Sequence, residues 1–224
     1  MARDRLSVLA AIEAQGVIPI FHHDDLDVCT KVIAACSKAG AKCVEFTNRG
    51  DYAAHTFPEL SRHFAKFDPS LVLGAGSIVD APTAALFIAH GARFVVGPMT
   101  NAEVARLCNR RLIAYLPGCA TTTEIGNAQE LGCEIVKLFP GDGVGGPATV
   151  KAILGPMPWT KMMPTGGVEP TEESLRAWFG AGIVAAGMGS KLITSTLLDA
   201  KDYDGIERRV RETLALAKKV RGKS

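Results

Sequence analysis

Long apolar runs are missing from this sequence: no stretch reaches the ~20 residues that a bilayer-spanning helix needs. The opening MARDRLSVLAAIEAQG is too short and too interrupted in its apolar part for a secretory leader. A cytoplasmic protein with no membrane partner is the expectation. Charge of one sign is also lacking, since the formal net charge is +2 over 224 residues, and aromatic residues make up only 6%. A nucleic-acid partner, which calls for a basic surface interleaved with stacking rings, is therefore not expected. The six cysteines, Cys29, Cys36, Cys43, Cys108, Cys119 and Cys133, form no CxxC pair and sit mostly among Ala, Val, Ile and Leu. That excludes a disulfide framework or a zinc site of ordinary spacing and reads as small buried hydrophobes, with Cys119 alone in a turn-like PGCATTTE. Finally, no G-x-G-x-x-G follows the first apolar run, which argues against an open dinucleotide-binding sheet.

What the chain does have is a recurrence of short β-branched or apolar runs: VIPIF (17–21), CVEFT (43–47), LVLGA (71–75), ARFVVG (92–97), LIAYL (112–116), EIVKLF (134–139), TKMMPT (160–165) and GIVAAG (182–187). They do not alternate apolar with polar, as strands buried on both faces should not. Their starts lie about 20 to 28 residues apart, the length of one strand and one crossover helix. Helix punctuation fills the gaps: Asp24 and Asp25, Asp80, and Thr121 with Glu124 as a capping box, then Gly40, Gly91 and Gly132 as C-caps. Eight such units predict an α/β protein, a compact (β/α)8 TIM barrel over residues 1–224 as a single domain. An N-terminal helix precedes it. A basic amphipathic helix ends it, with Ile206, Val210, Leu214 and Ala217 on the packed side.

Two of the buried runs carry a charge near their C-terminal ends, Lys137 in EIVKLFP and Glu45 in CVEFTNRG. In a barrel the chemistry sits at that rim, so the two side chains enter the same mouth. Burial favours the neutral amine of a lysine, which attacks carbonyls to form a Schiff base, and a nearby carboxylate can move the protons that this chemistry requires. A purely structural Lys137–Glu45 salt bridge is the competing reading of the same pattern. PTGGV after the seventh run, with Thr165, Gly166 and Gly167, and GMGSK after the eighth, with Gly187, Gly189 and Ser190, are candidate phosphate loops in which backbone N–H groups at a helix start face an anion. Arg49, just past the second run, is suited to a carboxylate. The HHDD segment, His22 to Asp25, is a poor metal chelate because neighbours at a strand end point in opposite directions; helix capping explains its acids. No metal is expected.

The ordered set GVIPIF, EFTNRG, GAGSI, FVVGP, LPGCATTTE, VKLFPGD, MPTGGV and GMGSKL resembles, over nearly the whole chain, the 2-keto-3-deoxy-6-phosphogluconate (KDPG) and 4-hydroxy-2-oxoglutarate (KHG) aldolase family. The resemblance implies a class I aldolase on a (β/α)8 barrel, usually a homotrimer, with no cofactor beyond a covalent Schiff base. Its substrates would be a sugar-acid phosphate and pyruvate. It places the Schiff-base lysine on Lys137, the acid–base glutamate on Glu45 and the carboxylate-binding arginine on Arg49. Thr165 would lie beside the reacting carbons, Gly166, Gly167, Gly189 and Ser190 around the phosphate, and Pro98 and Pro117 at the mouth. Ser77 stands where the family commonly has threonine and keeps the hydroxyl. Met188 and Lys191 depart from a common G-G-S-W segment, which bears on the fit around the phosphate; Lys191 is expected to point to solvent, with strengthened anion binding as its other reading. Asp51 and His55 are candidates for the aldehyde half of the substrate, with surface capping as their other reading. Cleavage of 2-keto-3-deoxy-6-phosphogluconate to pyruvate and glyceraldehyde 3-phosphate is the leading expectation. The galactonate epimer and 4-hydroxy-2-oxoglutarate are the alternatives; a thiamine phosphate synthase-like or sugar-phosphate epimerase barrel, or a silent sugar-phosphate sensor, is more distant.

Overall fold

Buried apolar runs separated by capped amphipathic stretches leave little choice but parallel strands joined by helical crossovers. The computed structural model describes residues 4–222, so the outermost residues of the expected domain, 1–3 and 223–224, lie outside the described residues. The strands are β1 (Val17–Phe21), β2 (Cys43–Thr47), β3 (Val72–Gly76), β4 (Phe94–Val96), β5 (Ala114–Leu116), β6 (Gly118–Cys119), β7 (Ile135–Leu138), β8 (Lys161–Pro164) and β9 (Ala186–Met188). The helices are α1 (Arg5–Gln15), α2 (Leu26–Lys38), α3 (Ala53–Phe67), α4 (Ala81–Ala89), α5 (Ala102–Arg111), α6 (Thr122–Glu130), α7 (Gly146–Leu154), α8 (Glu172–Ala181), α9 (Ser195–Asp199) and α10 (Tyr203–Val220). Their ends follow the sequence signals. Asp25 accepts from the Asp27 and Val28 N–H groups, Asp80 caps α4, and Thr121 with Glu124 closes the capping box of α6. Gly40, Gly91 and Gly132 follow α2, α4 and α6 with φ of 102°, 100° and 82°, where a side chain would be strained.

All ladder pairs are parallel, but hydrogen bonding falls into two pieces, a six-stranded sheet in the order β5-β4-β3-β2-β1-β9 and a three-stranded one in the order β6-β7-β8. The fold is thus an α/β curled parallel sheet; one uninterrupted eight-strand ladder, as the sequence suggests, is not what is observed. Pro117 separates β5 from β6, where it has no N–H to donate. At the other seam, β8 and β9 meet through a bridge between Thr165 and Gly187 and a bond from Val184 N–H to Met162 O of 3.0 Å. The last run also forms less strand than predicted. Gly182 is the left-handed cap of α8 with φ 109°, so β9 begins only at Ala186.

Side chains alternate across the sheet with the period of two that a strand imposes. Ile18, Cys43, Val72, Phe94, Ala114, Ile135, Met163 and Ala185 form one buried cluster, joined by Val8, Leu9 and Ile12 of α1. Val17, Val44, Phe46, Leu73, Val95, Tyr115, Val136 and Met162 belong to the larger cluster packed with the helices. α10 packs on α2 and α8 with Ile206, Val210 and Ala217 buried, and its Lys219 pairs with Glu172 at 2.8 Å. The inner cluster sets the height of the site. Two residues beyond Cys43 comes Glu45, and two beyond Ile135 comes Lys137, both in the same facing series and nearer the strands' C-terminal ends.

Candidate active site

Glu45 is 1% exposed and Lys137 6% exposed, so both charged groups are inside the protein. Room for the carboxylate comes from glycine: a side chain at Gly76, which pairs with Thr47 across β2 and β3, would collide with Glu45 Oε1. Lys137 is fixed by its strand, its N–H donating to Pro117 O at 2.8 Å and its register pairing it with Gly118 and Met163. Lys137 Nζ lies 4.6 Å from the centroid of the Phe139 ring. Among the described residues no ion pair within 4 Å joins Lys137 to Glu45, so the structural salt bridge is not formed.

Burial dominates the electrostatics of both groups. It pushes the Glu45 carboxyl above its ordinary value of 4.5, against the pull of the Lys137 and Arg49 cations. It pushes the Lys137 ammonium below its ordinary 10.5; Glu45 opposes that shift and Arg49 adds to it. An amine depressed by desolvation spends more of its time as the free nucleophile. Glu45 Oε2 and the Thr165 hydroxyl are buried and have no hydrogen-bond partner among the described residues. Leaving such an atom unpaired costs about 1–3 kcal/mol, a penalty that a bound substrate's polar atoms would relieve.

A cavity of about 430 Å³ is lined by Arg49, Thr165, Gly166, Gly167, Gly189 and Ser190 among others; Lys137 and Glu45 are not on its wall, which adjoins them through Phe139, the ring against Lys137 Nζ, and Thr47, two residues beyond Glu45. The wall includes His22, Arg49 and Lys191 and no carboxylate side chain. An anionic ligand meets only cationic or neutral groups there. The two glycine turns that face it differ from the expected helix starts. Gly166 and Gly167 have φ of 91° and 74°, and α8 begins five residues later, at Glu172, with its own Thr171 cap. The turn after β9 likewise closes through Leu192 and Ile193 N–H to Gly189 O before α9 begins. Both are turns on the cavity wall, not helix N-termini. Trp178 Nε1 donates to Gly167 O at 3.2 Å and Thr165 N–H to Leu138 O at 3.0 Å, tying the first of them to α8 and β7.

Not every candidate lines this cavity. Ser77, with φ 58°, follows β3, Pro98 lies just past β4, and Pro117 stands between β5 and β6; all three are at the strands' C-terminal ends yet outside the cavity wall. Pro117 acts through its carbonyl, which holds Lys137. Asp51 and His55 are also off the wall, and α3 has Tyr52 as its N-cap residue with no side-chain cap bond, so Asp51 does not cap it. Cys119 is buried against the Thr100 hydroxyl at 3.2 Å, and burial pushes its thiol up to about 11. Among the described residues no group of three His, Cys, Asp or Glu side chains is arranged to hold a metal. His22 serves instead as a brace: its ring meets Thr47 O at 3.2 Å and Asp24 Oδ1 at 3.0 Å. Thr47, Phe139 and Ser195 are among the wall residues that had not been singled out. Period two alone flags Thr47 and Phe139, each one alternation beyond Glu45 or Lys137. Lys191 is exposed, as expected, and its ammonium pairs with Glu169 at 2.8 Å.

Comparison with known proteins converges on one family. The family model for KDPG and KHG aldolase matches residues 8–209. The 2-dehydro-3-deoxy-phosphogluconate aldolase of Haemophilus influenzae is 29% identical over 211 residues, covering 94% of this chain and 97% of that protein. The KHG/KDPG aldolase of Escherichia coli is 28% identical over 202 residues, covering 90% and 92%. Among solved structures, the KDPG aldolase of Legionella pneumophila, captured with pyruvate as a covalent carbinolamine, superposes with a TM-score of 0.83 at 24% identity, over 91% of this chain and 96% of that one. A family match across most of the chain, together with a buried lysine and carboxylate near a cavity whose wall bears Arg49 and Lys191 and no carboxylate, makes this chain an aldolase, a carbon–carbon lyase, and a member of the KDPG and KHG aldolase family.

Proposed function

We propose that this enzyme cleaves 2-keto-3-deoxy-6-phosphogluconate to pyruvate and glyceraldehyde 3-phosphate through a Schiff base on Lys137, without a metal. The observation that carries this reading is the buried Lys137 and Glu45, shifted in opposite directions by burial, beside a cavity whose wall bears cations and no carboxylate. The Lys137 amine attacks the C2 ketone and Glu45 supplies and removes the protons that turn the carbinolamine into an imine. Glu45 then takes the proton of the C4 hydroxyl. The C3–C4 bond breaks, the aldehyde leaves, and the bond's electrons rest in the enamine. Reprotonation at C3 and hydrolysis release pyruvate and restore the amine. Arg49 holds the C1 carboxylate in a charge-assisted contact, while Thr165 offers its unpartnered hydroxyl beside the reacting carbons. Ser77 adds a hydroxyl from the β3 end, Pro98 and Pro117 shape the mouth, and the turns bearing Gly166, Gly167, Gly189 and Ser190 receive the phosphate.

The scaffold belongs to the same proposal. Residues 1–224 form a single closed (β/α)8 barrel, supported by the Lys137–Pro117 bond at one seam and the Thr165–Gly187 bridge at the other. The enzyme works as a cytoplasmic homotrimer; no helix among the described residues is long and apolar enough to cross a membrane. The test is kcat/KM for 2-keto-3-deoxy-6-phosphogluconate, its galactonate epimer and 4-hydroxy-2-oxoglutarate, with pyruvate release as the readout. The first is expected to exceed the third by about tenfold or more, the worth of one well-placed charged contact. A preference for 4-hydroxy-2-oxoglutarate contradicts the phosphorylated substrate, and a preference for the epimer contradicts the gluconate.

A further inference from the structure

Lys191 and Glu169 take no part in the mechanism above, yet each stands directly beyond one of the two glycine turns. Lys191 follows Ser190, Glu169 lies two residues past Gly167, and Lys191 Nζ meets Glu169 Oε1 at 2.8 Å, joining the two turns beside the cavity. Only the lysine belongs to the cavity wall. Its main chain is anchored, since Arg209 donates to Lys191 O from Nε at 3.3 Å and Nη2 at 2.9 Å. Its head is held loosely by comparison. The two side chains are 63% and 46% exposed, and ion pairs so hydrated are weak. Asp142, in the turn after β7, is the other carboxylate acting on this ammonium.

A fixed backbone, a weakly held cation and a neighbouring wall free of carboxylates make a group able to change partners. An anion of higher charge, entering between the two turns, outcompetes a single exposed carboxylate for the ammonium. We propose that Lys191 reads the charge at the distal end of the substrate, exchanging Glu169 for the incoming anionic group. The proposal rests on the aldolase reading. It makes Lys191 a specificity-determining residue, with a phosphate, whose charge exceeds that of the Glu169 carboxylate, as the group read.

The test compares Lys191→Met and Glu169→Gln with the wild type on three substrates. These are 2-keto-3-deoxy-6-phosphogluconate, 4-hydroxy-2-oxoglutarate and the neutral-tailed 2-keto-3-deoxygluconate. For Lys191→Met, the ratio of kcat/KM for the phosphorylated tail to that for the neutral tail is expected to fall about tenfold, mainly through KM. For Glu169→Gln it is expected to rise about twofold, because the competing carboxylate is gone. The phosphorylated substrate is expected to lose more than 4-hydroxy-2-oxoglutarate under Lys191→Met, and an equal or larger loss for the latter contradicts the proposal. Ratios that stay within about twofold of wild type in Lys191→Met overturn the proposal. Binding of glycerol 3-phosphate by calorimetry decides the matter independently of turnover: weaker binding in Lys191→Met supports it and equal binding overturns it. Pyruvate trapping on Lys137 of the wild type tests the aldolase reading alone, so the two failures are distinguishable.

Discussion

Lys137→Met is expected to remove turnover, with kcat falling on the order of 10⁵-fold or more, while the protein folds and melts at no lower temperature than the wild type at neutral pH. The kinetic part follows from the route itself. Without the amine there is no imine, and without the imine nothing receives the electrons of the breaking carbon–carbon bond. The stability part follows from burial. Lys137 is 6% exposed, and desolvation holds its ammonium below the ordinary 10.5. Between that depressed folded value and 10.5 the unfolded chain binds more protons than the folded one, so native stability gained from this group rises with pH through the window and is lost as pH falls through the folded value. At neutral pH the lysine is therefore a cost, and methionine of similar length relieves it. The orphaned partner does not undo the gain, because Glu45, its carboxyl already pushed up by burial, takes a proton in place of standing as a lone buried charge. Steady-state kinetics and thermal unfolding of the one variant check both halves. Residual turnover within about a hundredfold of wild type would place the nucleophile elsewhere.

Glu45→Gln is expected to lower kcat by about 10² to 10⁴-fold, the range for losing a positioned acid–base group. The nucleophile remains, so slow imine formation persists where Lys137→Met shows none. The pH dependence separates this from a mere packing defect. Glu45 raises the Lys137 value by its charge, in opposition to burial and Arg49. Removing that charge frees the amine at lower pH, so the acid limb of kcat/KM moves down or disappears with the carboxylate's own titration. A limb that moves to higher pH contradicts the assignment. The stability of the two proteins should also diverge with pH. The raised folded value means that the native state holds the Glu45 proton more tightly than the unfolded chain. The stability this gives is present below about 4.5 and lost as pH rises through the folded value, a slope that glutamine lacks.

Much of this site was legible because parallel strands leave no place for an idle charge. Lys137 and Glu45 stood out in runs that are otherwise apolar, and the alternation that buries Cys43 and Ile135 in one cluster carries the two charged groups to the same side. The helix caps were local, and local rules found them. The break at Pro117 was harder, since a missing N–H weakens a ladder without declaring whether the strand continues. Gly182 misled in the opposite way: it stops α8 in a left-handed conformation and so delays the strand that GIVAAG promised. Contacts between loops were out of reach. Nothing in GGVEP or GMGSK states that Glu169 and Lys191 meet, because their distance depends on how two separate crossovers end. His22 shows the same limit, its partner Thr47 O being 25 residues away on the neighbouring strand.

The proposed route stands on capture of the ketone by an uncharged amine at position 137. The most direct measurement is borohydride reduction of the wild-type enzyme in the presence of pyruvate, followed by peptide mapping by mass. One reduced pyruvyl group per chain is expected, carried on Lys137 and absent from Lys137→Met. An enzyme that cleaves its substrate with no adduct, or with the adduct on another lysine, contradicts it.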